Sequence, residues 1–335
     1  MRPLLRALLT GVGWCALWTA ASAIPVPVLD LDDLIAKADL IAIGTVQTVV
    51  EDGRSIIDVG GSQVTAKAFT GQMLVDQTLK GDPGPLVRFR FMVPDRQVGY
   101  ERVSASDYRM IFLKRHEDFY EFVSPYYPSV AVIPTLAIEG NGPAERVANV
   151  LGAMVESPAV TAGDKRAALY ELSTIKEKST TRLLRRALAD SDESVRLTAA
   201  ALLLAANDIA GLNIAEDALR RDTPEASDAI LHNLRYALSE GVKTEAAVPA
   251  ISRIFKSRDV DTRRAAASAL RHIGSDAARP ELARALNDAD FEVRYYAVIG
   301  LAENTGDKTW RPSVDEFRHS EARYVEYWKR KVAQR

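Results

Sequence analysis

Apolar positions along this chain follow two different rhythms. Between residues 40 and 133 they come in short runs rich in β-branched residues, broken by Gly, Pro and Asp; beyond residue 143 they recur at helical spacing in alanine-rich stretches. The first rhythm predicts strands at 40–51, 65–79, 86–93, 108–114, 119–124 and 130–133. Turn chemistry bounds them at 51–53 (Glu-Asp-Gly), 60–61 (Gly-Gly), 80–85 (Lys-Gly-Asp-Pro-Gly-Pro) and 116–118 (His-Glu-Asp). Arg88-Phe89-Arg90-Phe91-Met92 alternates with period two, which sends Phe89 and Phe91 to one side and the arginines to the other. A short helix at 30–38, acidic in its first turn, precedes the strands. Strands this short and this close together predict a small antiparallel β-barrel or sandwich as a domain over residues 24–142.

Gly140-Asn141-Gly142-Pro143 marks the junction to the second rhythm. Helix pairs are expected at 143–156 with 164–176, 179–189 with 193–206, 212–221 with 225–239, 245–257 with 260–273, and 278–287 with 291–303. Segments 188–203, 255–270 and 286–301 superpose without a gap. Asp192, Asp259 and Asp290 share one column; Arg196, Arg263 and Arg294 share another; Ala199, Ala266 and Ala297, then Leu203, Leu270 and Leu301, follow. The arginines are 67 and 31 residues apart, so the first gap holds two repeats. One of them is degenerate, keeping Asp222, Pro224 and Ala229 but no Arg. Self-similarity at this period predicts an α-helical solenoid over 143–309. Residues 310–335 then form a cap helix, with Trp310, Phe317, Tyr324, Tyr327 and Trp328 on one face.

The columns have readable physics. The Asp precedes the second helix of its pair and can accept that helix's free N–H groups, worth about 1 kcal/mol. The Arg stands in the first turn, where the helix dipole disfavours a cation, so it needs a carboxylate. The Asp of the same or the adjacent repeat is the expected partner, giving a ladder of charge-assisted hydrogen bonds. The functional alternative makes Arg196, Arg263 and Arg294 an anion-binding row.

Composition narrows the classes. Arg2 and Arg6, an apolar run from Ala7 and Ala21-Ser22-Ala23 read as a secretory signal over residues 1–23, with an uncleaved anchor as the other reading. Export to a periplasmic or extracellular space is therefore expected. Bulky Trp14 before Cys15 argues against lipidation, and no cysteine follows, which removes disulfides, thiolate nucleophiles and Cys-ligated metals. Residues 24–142 carry 11 basic and 16 acidic side chains, and 143–335 carry 30 and 29. Neither half has the basic excess that nucleic acid demands. No membrane span is expected once the signal is removed.

The columns Asp192, Val195, Arg196, Ala199 and Leu203 and their counterparts resemble the HEAT-repeat family, in particular the short repeats named after phycobilisome lyases, over about residues 143–305. That resemblance implies the fold and a protein-docking surface, not lyase chemistry. Ala38-Asp39-Leu-Ile-Ala-Ile-Gly-Thr-Val46, Leu74-Val-Asp-Gln-Thr-Leu-Lys-Gly81 and Tyr108-Arg-Met-Ile-Phe-Leu113 are similar to netrin- and TIMP-like modules of the OB-fold type. Those modules build their inhibitory edge around an N-terminal cysteine absent here, so the resemblance implies the barrel and not the activity.

Catalytic constellations are not legible. His232 and His272 lack the i+3 or i+4 partner that a zinc helix needs. His116 stands in a turn beside Glu117 and Asp118 that reads as solvated rather than metal-holding, and His319 lies just before the cap helix. No nucleophile elbow, Walker loop, dinucleotide fingerprint or EF-hand loop occurs. Neither cofactor nor metal is expected. Phe119, Tyr120, Tyr126 and Tyr127 form an aromatic cluster with two readings: a loop that closes the barrel onto the repeats, or a binding platform. The chain thus reads as an exported, non-catalytic scaffold that binds another protein through its solenoid. A secreted inhibitor or regulator acting through the barrel is the alternative.

Overall fold

The computed structural model describes residues 29–59, 62–95, 102–134, 139–221 and 227–334. The expected signal segment, Gly60-Gly61, Asp222 and Pro224 lie outside the described residues. Helix α1 (Leu31–Lys37) starts where Asp30 accepts the Asp33 N–H at 2.8 Å. Strand β1 (Leu40–Val59) and strand β2 (Ser62–Lys80) pair as one long antiparallel ribbon. The turn expected at 51–53 is not there. Gly53, at φ +146°, and a register shift between Glu51 and Gly53 make it a bulge, so the strand bends and continues.

Four strands follow among the described residues: β3 (Leu86–Pro94), β4 (Tyr108–Arg115), β5 (Tyr120–Phe122) and β6 (Ser129–Ala131). The sheet has six strands in the order β1-β2-β3-β5-β4-β6, with β1 also hydrogen-bonded to β4. Strand β5 runs parallel to β3 and antiparallel to β4. Alternation decides what each face buries. Leu40, Ala42, Ile111, Leu113, Phe89 and Phe91 pack together inside the sheet's own core. Their neighbours Ile41, Ile43, Met110 and Phe112 point the other way, into a core shared with Val147 and Leu151 of the first solenoid helix. The sheet is therefore joined to the helices by apolar packing rather than by a linker alone.

The helices come as pairs: α2 (Pro143–Glu156) with α3 (Ala162–Ser173), α4 (Lys178–Ala187) with α5 (Glu193–Ala205), and α6 (Leu212–Arg220) with α7 (Asp228–Gly241). Then come α8 (Val248–Ile254) with α9 (Val260–Ile273), and α10 (Arg279–Ala285) with α11 (Phe291–Thr305). Second helices stack in the order α3-α5-α7-α9-α11 and first helices line up beside them. Ala200, Ala266, Ala267 and Ala297 are fully buried, so backbones approach closely, and Leu203, Leu270 and Leu301 fill the space between. Among the described helices the tightest approach is at Gly241, where a Cβ atom would lie 2.2 Å from the Leu204 carbonyl oxygen.

Helix α12 (Val314–Ala333) closes the stack, opened by a capping box between Ser313 and Glu316. Phe317 and Trp328 are buried; Trp310 stacks on Tyr327 at 3.8 Å, and the Trp328 indole N–H donates to the Trp310 carbonyl at 3.1 Å. The aromatic face expected from the sequence covers the last repeat.

Candidate docking face of the second helices

The repeat columns sit at the entrance of each second helix. Asp192 accepts the Val195 N–H at 3.2 Å, Asp259 the Thr262 N–H at 2.8 Å, and Asp290 the Val293 N–H at 3.1 Å. The arginines do not use these capping carboxylates as expected. Arg196 reaches back to the carbonyls of Asp190 and Ser191, Arg263 to those of Ser257 and Arg258, and Arg294 to that of Asp288. Each thereby satisfies acceptors of the turn that follows the first helix, which compensates its position near the positive end of the second.

Where such a cation reaches an acid, it is one in the following element. Arg263 forks onto Asp288 at 2.8 and 3.2 Å, and Arg294 pairs with Glu321 of α12. Asp288 belongs to a column the sequence reading missed, two residues before the cap. Asp190 and Asp288 each accept the N–H of the capping Asp, at 2.8 and 2.9 Å, and Ser257 takes that place in the repeat between. A cation was missed too: Lys165, four residues after its N-cap Thr161, meets Asp190 at 2.7 Å with both side chains about nine-tenths buried. Burial disfavours the Asp190 charge, but hydrogen bonds from Lys165 and the Asp192 N–H outweigh it and hold the carboxyl below its ordinary value. The signal was present: Lys165 precedes Arg196 by the same 31 residues that separate Arg263 from Arg294.

A second set of cations holds the capping acids. Arg264 forks onto Asp290 at 2.9 and 2.7 Å, and Arg235 lies 2.9 Å from Asp259. The Arg264 hydrogen bonds, with the Val293 and Glu292 N–H groups, bring the Asp290 carboxyl down to about 2. Asp192, bound by Ser194 and the Val195 N–H near Arg166, is also lowered. Arg196, Arg263 and Arg294 are thus each engaged within the fold.

What these ladders leave open is the outer face of the second-helix layer. Tyr170 of α3 and Tyr236 of α7 stand on it, 44% and 66% exposed. The Tyr170 hydroxyl accepts from Asn233 Nδ2 at 3.0 Å, reaching across α5, the helix between them. A side-chain bridge thus joins helices two places apart on this side of the layer. Further along, Arg271 forks onto Glu303 at 2.7 and 2.9 Å beside Tyr295 and Tyr296.

The structure disperses the aromatic cluster of the sheet. Tyr126 belongs to the core at 9% exposure, Tyr120 packs against it half-buried, and Tyr127 stands out at 61% with a left-handed backbone, φ +52°. Phe119 stacks on His116, which pairs with Glu121. His272 bonds the Ser239 carbonyl and His319 the Asp315 carbonyl. Among the described residues no group of three His, Cys, Asp or Glu could hold a metal ion, and no helix is long and apolar enough to cross a membrane.

No curated protein matches the chain. Among solved structures, similar folds include a designed armadillo repeat protein (18% identity, TM-score 0.34, covering 54% of this chain and 90% of that one). The complex of CpcE and CpcF of phycocyanin lyase from Nostoc is similar at 16% identity and a TM-score of 0.31, over 55% of this chain and 82% of that one. Human deoxyhypusine hydroxylase is similar at 15% and 0.26, over 58% and 85%. The family description "HEAT repeats" matches residues 227–302 and 247–326, the stretch in which α7 to α12 stack with their charge ladders. Over residues 227–326 this chain is built of HEAT repeats.

Proposed function

We propose that the chain is an exported, non-catalytic scaffold that binds another protein on the outer face of its second helices. The observation that carries this reading is Tyr236. A tyrosine 66% exposed in the middle of a continuous helical layer has the chemistry of an interface anchor. The internal charge ladders support it from the other direction, because the repeated arginines are already spent on the fold and leave no anion-binding row. We read the sheet as a small OB-like barrel. The pairing of β1 with both β2 and β4, and the parallel β3–β5 contact, support that reading. Export rests on the signal-like residues 1–23.

The test uses the full chain, cross-linked gently in the cells that make it and recovered by an affinity tag. Tyr236→Ala should reduce the captured partner by at least about tenfold, the loss typical of an anchor residue, while leaving the melting curve unchanged. Equal capture by the parent and the variant would remove the second-helix face from the account.

A further inference from the structure

A cavity of about 460 Å³ opens between the sheet and the first helix pair, where β6 and the residues after it face α3 and the turn from α2. Its sheet side is made by five consecutive residues, 129–133, so the cavity meets the edge of the strand rather than one of its faces. Among the described residues β6 pairs only with β4. Pro128 accepts the Phe112 N–H at 3.0 Å and Val132 donates to the Tyr108 carbonyl at 3.5 Å. The alternate residues Ser129 and Ala131 therefore turn their backbone groups away from β4. The opposite side is helical. Asp164, Ala167, Ala168 and Glu171, at i, i+3, i+4 and i+7, make one stripe of α3, and Met154 and Val160 extend the apolar wall beside it. Size, apolar lining and a few polar groups are the attributes of a small-molecule pocket.

Charge decides the ligand class. Among the described residues that line the cavity only Asp164 and Glu171 are charged, and both are acids. Asp164 accepts from the Thr161 hydroxyl at 2.7 Å. Glu171 differs. Among the described residues its carboxylate meets neither a donor nor a cation, and burial pushes it above its ordinary value. The cations nearby are committed elsewhere. Lys165 pairs with Asp190, and Arg109, which donates to the Ser129 hydroxyl at 2.7 Å, pairs with Asp107 at 3.6 Å. An acid held partly out of water without a partner costs free energy that an arriving cation restores. A primary ammonium brings three donors, and the cavity offers it a free carboxylate and the outward carbonyls of the β6 edge.

We propose that this cavity binds a small primary ammonium with an apolar body, the ammonium on Glu171 and the body against Met154, Val160 and the alanines of α3. The site lies on the flank of α3 turned toward the sheet, and its test does not involve Tyr236 or the docking of a protein. The experiment is an NMR titration of the full chain with phenethylammonium and with 3-phenylpropionate, which share a body and differ in charge. The ammonium should bind at least about tenfold more tightly than the carboxylate. Glu171→Gln keeps the shape of the side chain without its charge and should abolish that preference. Ala167→Leu fills the cavity one turn away, leaves both acids in place, and should weaken phenethylammonium by about tenfold as well. Ala167 is exposed and Glu171 half-buried, so both variants should melt no lower than the parent. No saturable binding of phenethylammonium, equal or tighter binding of 3-phenylpropionate, or an affinity for phenethylammonium unchanged by either substitution would overturn the proposal.

Discussion

Each Asp-x-Asp turn of the solenoid divides its work between two carboxylates, one closing the turn and one capping the helix. In 288–290, Asp288 holds the Asp290 N–H and takes Arg263, while Asp290 caps α11 and takes Arg264. The consequence is a defined acid sensitivity. The Asp290 carboxyl titrates at about 2 in the folded chain, below an unfolded value near 3.9. Its contribution is therefore fully present above about pH 4 and is lost as the pH falls through 2. Asp290→Asn should cost about 1–2 kcal/mol at pH 7, after allowance for the partly exposed Arg264, and only a small fraction of that at pH 2; urea midpoints at the two pH values check this. Lys165 and Asp190 are the stronger case, since both are buried. Lys165→Ala should cost about 3 kcal/mol, and adding Asp190→Ala should recover part of that loss, because the unpaired buried charge is gone. The capping Asp column was legible because it recurs in three repeats. The column two residues earlier was not, because Ser257 interrupts it, and Lys165 hid behind a Thr cap and a changed cation.

At the scale of elements, periodicity located the helices and strands, and turn chemistry misplaced one boundary. Glu51-Asp52-Gly53 carries the residues of a turn, yet β1 runs through it. A glycine with positive φ serves a bulge as readily as a turn, and pairing with β2 on both sides chose the bulge. The aromatic cluster failed similarly as a single surface, because alternation around β5 and the bend at Tyr127 send its rings in different directions. Two substitutions test helix packing. Leu270→Ala, at a fully buried position of α9, should destabilise by about 2–5 kcal/mol in chemical denaturation, whereas a loss under about 0.5 kcal/mol would put that column on the surface. Gly241→Ala adds one methyl where α7 meets the backbone of α5 and should cost about 1–3 kcal/mol, although alanine is the better helix former.

On the scale of the whole molecule, sheet and solenoid share a core: Ile41, Ile43, Met110 and Phe112 pack with Val147, Leu151 and Leu169. Composition and turn residues marked a junction near residue 142, but apolar contact across it depends on which strand face points where, and no local pattern states that. A fragment beginning at residue 139 would expose Val147 and Leu151 and should melt well below the full chain, so partner binding is best measured on intact protein. The central claim is that the outer face of the second helices docks a protein. A photo-reactive benzoylphenylalanine placed at Tyr236, or at the exposed Arg182 of α4 in the first-helix layer, tests it most directly. Irradiation in the producing cells should yield one discrete protein adduct from the Tyr236 position and none from Arg182; an adduct from Arg182 alone, or from neither position, would contradict the account.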